Sequence, residues 1–203
     1  DAFEVYDYHF PDSENLNISI SDISDEKFAS MDADMIVGGF PCQDYSVARS
    51  KKNEMGIEGK KGVLFWEIIR AIENIKPKYL ILENVDRLLK APSKQRGRDF
   101  AIMLTAFNNL GYSVEWRVIN AAEYGRSQRR RRVFFFVYRN DTDFAKTIDE
   151  KYEQNSVVFE ENKYDEYIFE TGLFATQFPI KKFPVKNRHV FYELGEDIVD
   201  VSD

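Results

Sequence analysis

Three kinds of side chain in this sequence could carry out covalent chemistry together: a thiol, a carboxylate and guanidinium groups. The thiol is Cys42, the only cysteine of the chain, the carboxylate is Glu83, and the guanidinium groups belong to the arginine run 129–132. A thiolate is a nucleophile, a protonated carboxyl group is a general acid, and guanidinium groups stabilise developing negative charge. Together these residue types indicate nucleophilic catalysis assisted by an acid.

Cys42 follows a short apolar run, Met35 to Val37, which predicts a strand of a parallel sheet buried on both faces. Two glycines end the run, and Pro41, which fixes φ and lacks an N–H, turns the chain out of the sheet. Cys42 therefore lies beyond the carboxyl end of a strand, where open α/β sheets bind ligands. A lone cysteine is more often a small buried hydrophobe. A thiol between proline and glutamine at a strand exit is instead placed where a substrate could reach it. A free thiol has a pKa of about 8.5 and is mostly protonated at pH 7, so a nucleophile here needs nearby cations or hydrogen-bond donors.

Glu83 stands at an equivalent position on a second predicted strand. The apolar run Tyr79–Leu82 ends in Glu83-Asn84-Val85, and an amphipathic helix over Val63–Ile75 separates this strand from the first. A helical crossover implies that the two strands are parallel neighbours, so Glu83 should emerge beside Cys42. A glutamate is usually a solvated surface residue, but at this position it becomes a candidate general acid.

The arginine run 129–132 leads directly into a predicted strand, Val133–Tyr138. A run of arginines ordinarily covers a solvated face. Because side chains alternate along a strand, alternate arginines here should point to opposite faces of the sheet. Some of them should therefore be held in a site by carboxylates or by a polar ligand.

The charge of the chain is divided into three blocks. The net charge is −7, but residues 1–34 sum to −9, residues 35–139 to +10 and residues 140–203 to −8. The basic block contains Cys42, so a polyanionic partner such as nucleic acid fits it.

A length of 203 residues with 43% apolar residues predicts one domain. The sequence shows no membrane-spanning run or signal peptide, allows no internal disulfide and offers little for a zinc site, which together fit a cytoplasmic location.

The remaining pattern alternates helices and strands and predicts an α/β fold. Residues 44–62, rich in glycine and lysine, predict a long loop that could act as a lid. After Asn140 the signal weakens, and residues 153–203 read as a connector. The other predicted elements are helices over Ala2–Phe10, Asp25–Ala29, Asp99–Leu110 (stopped by Gly111) and Asp143–Tyr152, and strands over Leu16–Ile20 and Ser113–Ile119; Asp22 reads as a turn or N-cap residue.

Three motifs in this order resemble the catalytic motifs of the DNA (cytosine-5) methyltransferases of bacterial restriction-modification systems. They are Pro41-Cys42-Gln43, Glu83-Asn84-Val85 and Gln128-x-Arg130-x-Arg132. Lesser matches are Ser21-Asp22-Ile23, Gly62-Val63-Leu64 and residues 120–125. The resemblance covers roughly residues 1–140. It implies an incomplete doubly wound, mostly parallel, Rossmann-like methyltransferase sheet with helices on both faces.

The resemblance also implies roles for individual residues. Cys42 would add to C6 of a cytosine flipped out of double-stranded DNA, with Glu83 and Arg130 or Arg132 neutralising the charge, and C5 would receive a methyl group from S-adenosylmethionine. The implied cofactor residues are Asp22, Ile23, Phe40, Pro41, Leu64 and Asn84, the last also bracing the active-site loops. The implied DNA-contacting residues are Gln43, Ser46, Arg49, Lys51 and Lys52.

Some parts of the family pattern have no counterpart in this sequence. The glycine-rich first strand that holds the cofactor's methionine part is absent, and so is the target-recognition domain. We therefore expect residues 1–140 to be a partial catalytic core and residues 141–203 a connector toward target recognition, with the missing parts elsewhere in the enzyme or on a second chain. The strand at Met35–Val37 should then have an unpaired edge, and the chain alone should bind S-adenosylmethionine weakly or not at all and be inactive.

Other functions remain open from the residues alone. A relative that methylates cytosine in tRNA would use the same chemistry and the same basic block. A non-catalytic scaffold or partner subunit is a further alternative, which the intact Cys42, Glu83 and arginines disfavour. A thiol hydrolase requires a histidine base, and His9 and His189 lie outside the region that carries the motifs.

Overall fold

The computed structural model describes residues 2–40, 64–90, 96–152 and 170–179. Within these ranges a four-stranded sheet is flanked by helices, which confirms the α/β class. The predicted loop over residues 44–62 lies outside the described residues. The elements are α1 (Ala2–His9), α2 (Asp25–Ala29), β1 (Met35–Gly39), α3 (Leu64–Ile75), β2 (Tyr79–Val85), α4 (Arg98–Asn109), β3 (Tyr112–Asn120), β4 (Arg131–Arg139), α5 (Asp143–Tyr152) and α6 (Leu173–Gln177).

The strands lie in the order β1-β2-β4-β3. β1 and β2 are parallel, as the helical crossover through α3 predicted, whereas β4 pairs antiparallel with both β2 and β3. The described sheet is therefore mixed rather than mostly parallel. Only ten residues connect β3 to β4, and a connection of that length joins strands as an antiparallel hairpin.

One face of the sheet, here called the apolar face, carries the main core. Alternate residues of β2 and β4 point toward α3 and α4 and are almost fully buried, as Leu80, Leu82 and Val133 show. Helical spacing places the buried residues of α3 and α4 opposite them. The helix residues in this cluster are Phe65, Ile69, Ile72, Phe100, Met103 and Phe107.

The opposite face, here called the site face, is only partly apolar. It carries Tyr79, Ile81 and Glu83 of β2 together with the alternate residues of β4 from Arg132 to Tyr138. α5 and α6 pack on it through a second cluster. Helices therefore cover both faces, as predicted. The members of the second cluster are Phe136, Tyr138 and Ala145, with Tyr79, Phe144, Leu173 and Phe174 packed against them.

The expectation that the β1 run is buried on both faces is wrong. β1 is the last strand of the described sheet, and among the described residues its outer edge pairs with no strand. Val37 is 70% exposed and Met35 is 44% exposed. The apolar composition of the run was read as double burial, but only Ile36 packs against the main core, while Met35 and Val37 lie on the site face beside Tyr79 and Ile81 and are exposed.

The strand predicted over Leu16–Ile20 is also wrong. These residues form no ladder, and Leu16 and Ile18 are exposed. The segment leads into a 3-10 helix, Ile20–Asp22, capped by the hydroxyl of Ser19. Alternation alone does not make a strand when no partner offers hydrogen bonds. The cap of α2 is likewise Ser24 rather than Asp22, which lies in the 3-10 turn.

The other element predictions are confirmed to within two residues, except that β2 continues three residues past the predicted end at Leu82, to Val85. Gly111 follows α4 with a φ of 79°, the left-handed conformation expected of a C-terminal glycine. In the described ranges, no helix is long and apolar enough to span a membrane, and no group of three or more His, Cys, Asp or Glu residues could hold a metal ion.

Candidate active site at the carboxyl ends of β1 and β2

Glu83 and Arg132 form an ion pair on the site face. The parallel register puts Glu83 opposite Gly39, the last residue of β1, and the antiparallel register puts Arg132 opposite Val85. Arg132 Nε lies 2.7 Å from Glu83 Oε1, and the two side chains are 24% and 34% exposed. A half-buried acid and a guanidinium group thus face solvent together where β2 ends.

Gly39 lies directly against Glu83. A Cβ atom built on Gly39 would lie 3.4 Å from both the Glu83 carbonyl oxygen and Glu83 Oε2. The Glu83 carboxylate therefore reaches over the end of β1. This is the strand exit that leads, three residues later, to Cys42. Pro41 and Cys42 lie outside the described residues.

Asn84 ties the two strand ends together on the buried side. Its side chain is almost completely buried, its Nδ2 donates to the Phe40 carbonyl over 3.0 Å, and its Oδ1 accepts from the Val85 N–H over 2.8 Å. Both polar ends of the amide are used within the protein. Asn84 therefore braces the exit of β1.

Arg70 of α3 holds the turn that contains Asp22 and Ile23. Its guanidinium group donates to the carbonyl oxygens of Ile23 (2.8 Å) and Ile20 (3.0 Å) and to Asp25 Oδ1 (2.7 Å). It also pairs with Glu67, three residues before it on the helix, and lies 4.8 Å from the ring centroid of Phe28. The hydrogen bond to Asp25 is the main cause that raises the pKa of Arg70. This anchor was missed from sequence, where an Arg three residues after a Glu reads as a surface pair.

Phe40 and Leu64, two predicted cofactor residues, lie near one end of α3. The rings of Phe40 and Phe65 are 5.9 Å apart, and Leu64 begins the helix with its side chain partly buried. The 3-10 turn with exposed Asp22 contacts the same helix through Arg70. The structure therefore brings four of the six predicted cofactor residues, Asp22, Ile23, Phe40 and Leu64, to α3, while Asn84 lies beneath the strand ends.

Arg130, the second predicted catalytic arginine, lies just before β4 and is exposed. The Ala121 N–H donates to its carbonyl over 3.0 Å, which closes the loop between β3 and β4. Among the described contacts it is Arg132, not Arg130, that reaches Glu83.

A basic rim surrounds this end of the sheet. Asp86, in the 3-10 helix after β2, pairs with Arg131 over 3.0 Å, which places that helix beside the start of β4. The exposed bases on these segments are Arg87, Lys90, Arg96, Arg126, Arg129, Arg130 and Arg131. The predicted DNA contacts Gln43, Ser46, Arg49, Lys51 and Lys52 lie outside the described residues.

The fold and the site at its strand ends define a Rossmann-like α/β protein of the methyltransferase class. The sequence model of the C-5 cytosine-specific DNA methylase family matches residues 1–189, and the chain belongs to that family. It is 56% identical over its whole length to the type II methyltransferase M.Sau3AI of Staphylococcus aureus, of which it covers 46%. It is 33% identical to M.HhaI of Haemophilus parahaemolyticus over 69% of this chain and 40% of that protein. The chain thus spans less than half the length of these relatives.

Solved structures agree on the fold. The Dnmt2 methyltransferase of S. pombe superposes with a TM-score of 0.52 at 15% identity, covering 78% of this chain and 45% of that one. A putative DNA modification methyltransferase from an E. coli prophage gives a TM-score of 0.52 at 22% identity, covering 74% and 40%.

Proposed function

We propose that this chain carries the catalytic centre of an enzyme that methylates C5 of cytosine in double-stranded DNA. The observation that carries the proposal is the Glu83–Arg132 pair, which faces solvent at the exit of β1 that leads to Cys42. Family membership supplies the reaction class, and the pair supplies the acid and the donor that this reaction requires.

Each group has a defined task in the proposed reaction. The Cys42 thiolate adds to C6 of the cytosine, and the electron pair of the C5–C6 double bond becomes available at C5. Glu83, when protonated, gives its proton to N3, and Arg132 donates a hydrogen bond to O2, so the ring does not accumulate negative charge. After methylation the C5 proton leaves to a base, the S–C6 bond breaks as the double bond re-forms with release of the thiolate, and the proton on N3 returns to Glu83.

S-adenosylmethionine is the methyl donor that the family implies, and it supplies an electrophilic methyl group when bound. The residues around α3 fit S-adenosylmethionine. The exposed Asp22 carboxylate could accept a hydrogen bond from the adenine amino group, while Ile23, Phe40, Pro41 and Leu64 provide apolar contacts. Arg70 keeps the Asp22–Ile23 turn in place through two backbone carbonyls. Because no described strand pairs with the outer edge of β1, we propose that the chain alone binds the methyl donor weakly and does not methylate DNA.

Duplex DNA fits the basic rim, because an array of exposed arginines and lysines neutralises backbone phosphates without reading sequence. We propose that Gln43, Ser46, Arg49, Lys51 and Lys52 add contacts around an extruded cytosine. A target base inside the duplex cannot reach a site at the strand ends, so extrusion is required.

The test is a transfer assay with radiolabelled S-adenosylmethionine, using an active methyltransferase that contains this chain. Label should appear in duplex DNA as 5-methylcytosine, and Cys42→Ala should lower the rate at least about 100-fold because the nucleophile is lost. Lys27→Ala, on α2, is the control and should behave as the parent. Transfer into tRNA but not DNA would replace the proposed substrate, and equal activity of Cys42→Ala would exclude the thiol mechanism.

A further inference from the structure

We infer that α6 clamps the arginine-bearing loop between β3 and β4, and that Arg117 and Tyr124 are positioning residues of the site. The inference rests on the proposed function, in which Arg132 and its loop act on the substrate. It concerns a segment, residues 170–179, that the sequence presented only as part of a connector.

One carbonyl oxygen at the end of α6 accepts hydrogen bonds from two side chains, one on β3 and one in the segment between β3 and β4. The Phe178 carbonyl, at the C-terminal end of α6, accepts a hydrogen bond from Arg117 Nη1 over 3.1 Å and one from the Tyr124 hydroxyl over 3.3 Å. Arg117 belongs to β3, and Tyr124 ends the 3-10 helix Ala121–Tyr124 that follows it. The contacts thus link residues more than 50 positions apart in the chain.

Aromatic contacts reinforce the same junction. The rings of Tyr124 and Phe178 meet edge to face, with centroids 5.5 Å apart. The Arg117 guanidinium group lies 5.9 Å from the ring centroid of Phe174, within the range of a cation–π interaction. Leu173 and Phe174 in turn pack against the buried cluster of the site face. α6 is therefore seated on the sheet and can act as a fixed support.

Backbone hydrogen bonds connect the 3-10 helix that ends at Tyr124 to the arginine-bearing loop. Gly125, directly after Tyr124, adopts a φ of 77°, the Arg126 N–H donates to the Ala121 carbonyl, and the Ala121 N–H donates to the Arg130 carbonyl. These bonds make the 3-10 helix and the loop a closed unit. Fixing Tyr124 against Phe178 consequently fixes Arg130, the residue just before β4 and two residues before Arg132.

Arg117 and Arg132 lie on the same face of the sheet. Arg117 pairs with Phe134 in the β3–β4 register, and Arg132 lies two residues from Phe134 on β4. All three therefore project from the site face, on which α6 packs. The clamp and the Glu83–Arg132 pair share one surface of the sheet.

Hydrogen exchange on this 203-residue chain tests the clamp with two variants that remove different halves of it. Tyr124→Phe removes the hydroxyl and keeps the ring, whereas Phe178→Ala removes the ring and keeps the carbonyl. Each should accelerate exchange of the Ala121 and Arg126 amides by roughly two- to tenfold, the range expected for one net hydrogen bond. Exchange of the β2 amides should stay unchanged. Tyr8→Phe and Phe10→Ala are matched controls, because they make the same two changes at exposed rings in and next to α1.

Unchanged exchange at Ala121 and Arg126, or equal acceleration throughout the sheet, would overturn the clamp, because the second result describes only a general loss of stability. In an active methyltransferase containing this chain, Tyr124→Phe should lower kcat several-fold and leave the KM for S-adenosylmethionine unchanged. A rise in that KM with constant kcat would contradict a positioning role. If the parent enzyme methylates no nucleic acid, the proposed function fails, while the exchange result still decides whether the clamp exists.

Discussion

The two faces of the sheet use neighbouring residues of the same strands for different purposes. Leu80 and Leu82 of β2 point to the apolar face and are essentially inaccessible, whereas Ile81 is 37% exposed and Glu83 forms a half-exposed ion pair. The apolar face has α3 and α4 along it, while α5 and α6 pack against a smaller cluster on the site face. Stability should therefore depend mainly on one face and chemistry on the other.

The polar groups of the site are partnered, as is buried Asn84, but two other buried polar atoms are not. On the site face, Glu83, Arg132 and Arg117 all have partners. On the apolar side, two buried polar atoms, Trp66 Nε1 and Asp99 Oδ2, have no hydrogen-bond partner among the described residues. Partnered groups with solvent access can exchange a protein partner for a substrate, and buried groups without a partner only reduce stability.

The largest effect expected on the site face is that of Glu83→Gln. The amide keeps the shape of the side chain but has no carboxyl proton to give, so turnover should fall roughly 100- to 10,000-fold, as for loss of a general acid. Thermal stability should change little, because an ion pair that is partly open to solvent contributes only about 0–1 kcal/mol. Turnover by radiolabel transfer and melting by circular dichroism measure the two quantities. Normal turnover of this variant would remove Glu83 from the mechanism.

The matched pair Leu82→Ala and Ile81→Ala tests the division of stability. Leu82→Ala opens a cavity in the main core and should lower the free energy of unfolding by about 2–5 kcal/mol. Ile81→Ala, one residue away on the other face, should cost clearly less because its side chain is partly solvated. Urea unfolding of both variants gives the comparison. Equal losses would mean that the site face carries as much of the core as the apolar face.

The smallest effect is a pH dependence from Asp99. Burial raises the pKa of this carboxyl group, with Arg98 opposing the shift more weakly. The folded state therefore binds the proton more tightly than the unfolded state, so stability from this group falls as pH rises from below the unfolded pKa through the folded one. Asp99→Asn should remove that fall. The stability of the variant relative to the parent should therefore be higher at neutral pH than at acidic pH. Denaturant titrations at several pH values would show this, and parallel pH curves for both proteins would contradict it.

Much of this arrangement could be predicted from the sequence. The run Tyr79–Leu82 and the helix before it fixed the parallel pairing of β1 and β2, and that pairing placed Glu83 at the end of β1. Alternation along β4 predicted that an arginine would be held by a carboxylate, and Arg132 is held by Glu83. These features follow from local periodicity and from the rule that parallel strands end at the same edge.

The remainder depends on long-range partners that local patterns do not encode. Whether Met35–Val37 is buried on both faces depends on which elements pack on each face of the sheet, and Leu16–Ile20 is no strand because nothing among the described residues pairs with it. Arg70 and Arg117 bond to backbone carbonyls tens of residues away, and a carbonyl acceptor has no signature in the sequence. α6 was hidden in a weakly patterned stretch because it is only five residues long.

The most direct test of the account is a covalent trap on duplex DNA that carries 5-fluorocytosine at the target position. With an active methyltransferase that contains this chain and with S-adenosylmethionine present, we expect a stable protein–DNA adduct whose linked peptide contains Cys42. Fluorine cannot leave C5 as a proton does, so the S–C6 bond should persist. Cys42→Ala should form no adduct and should still bind the duplex. Failure of the parent enzyme to form an adduct, or an adduct retained by Cys42→Ala, would contradict the account.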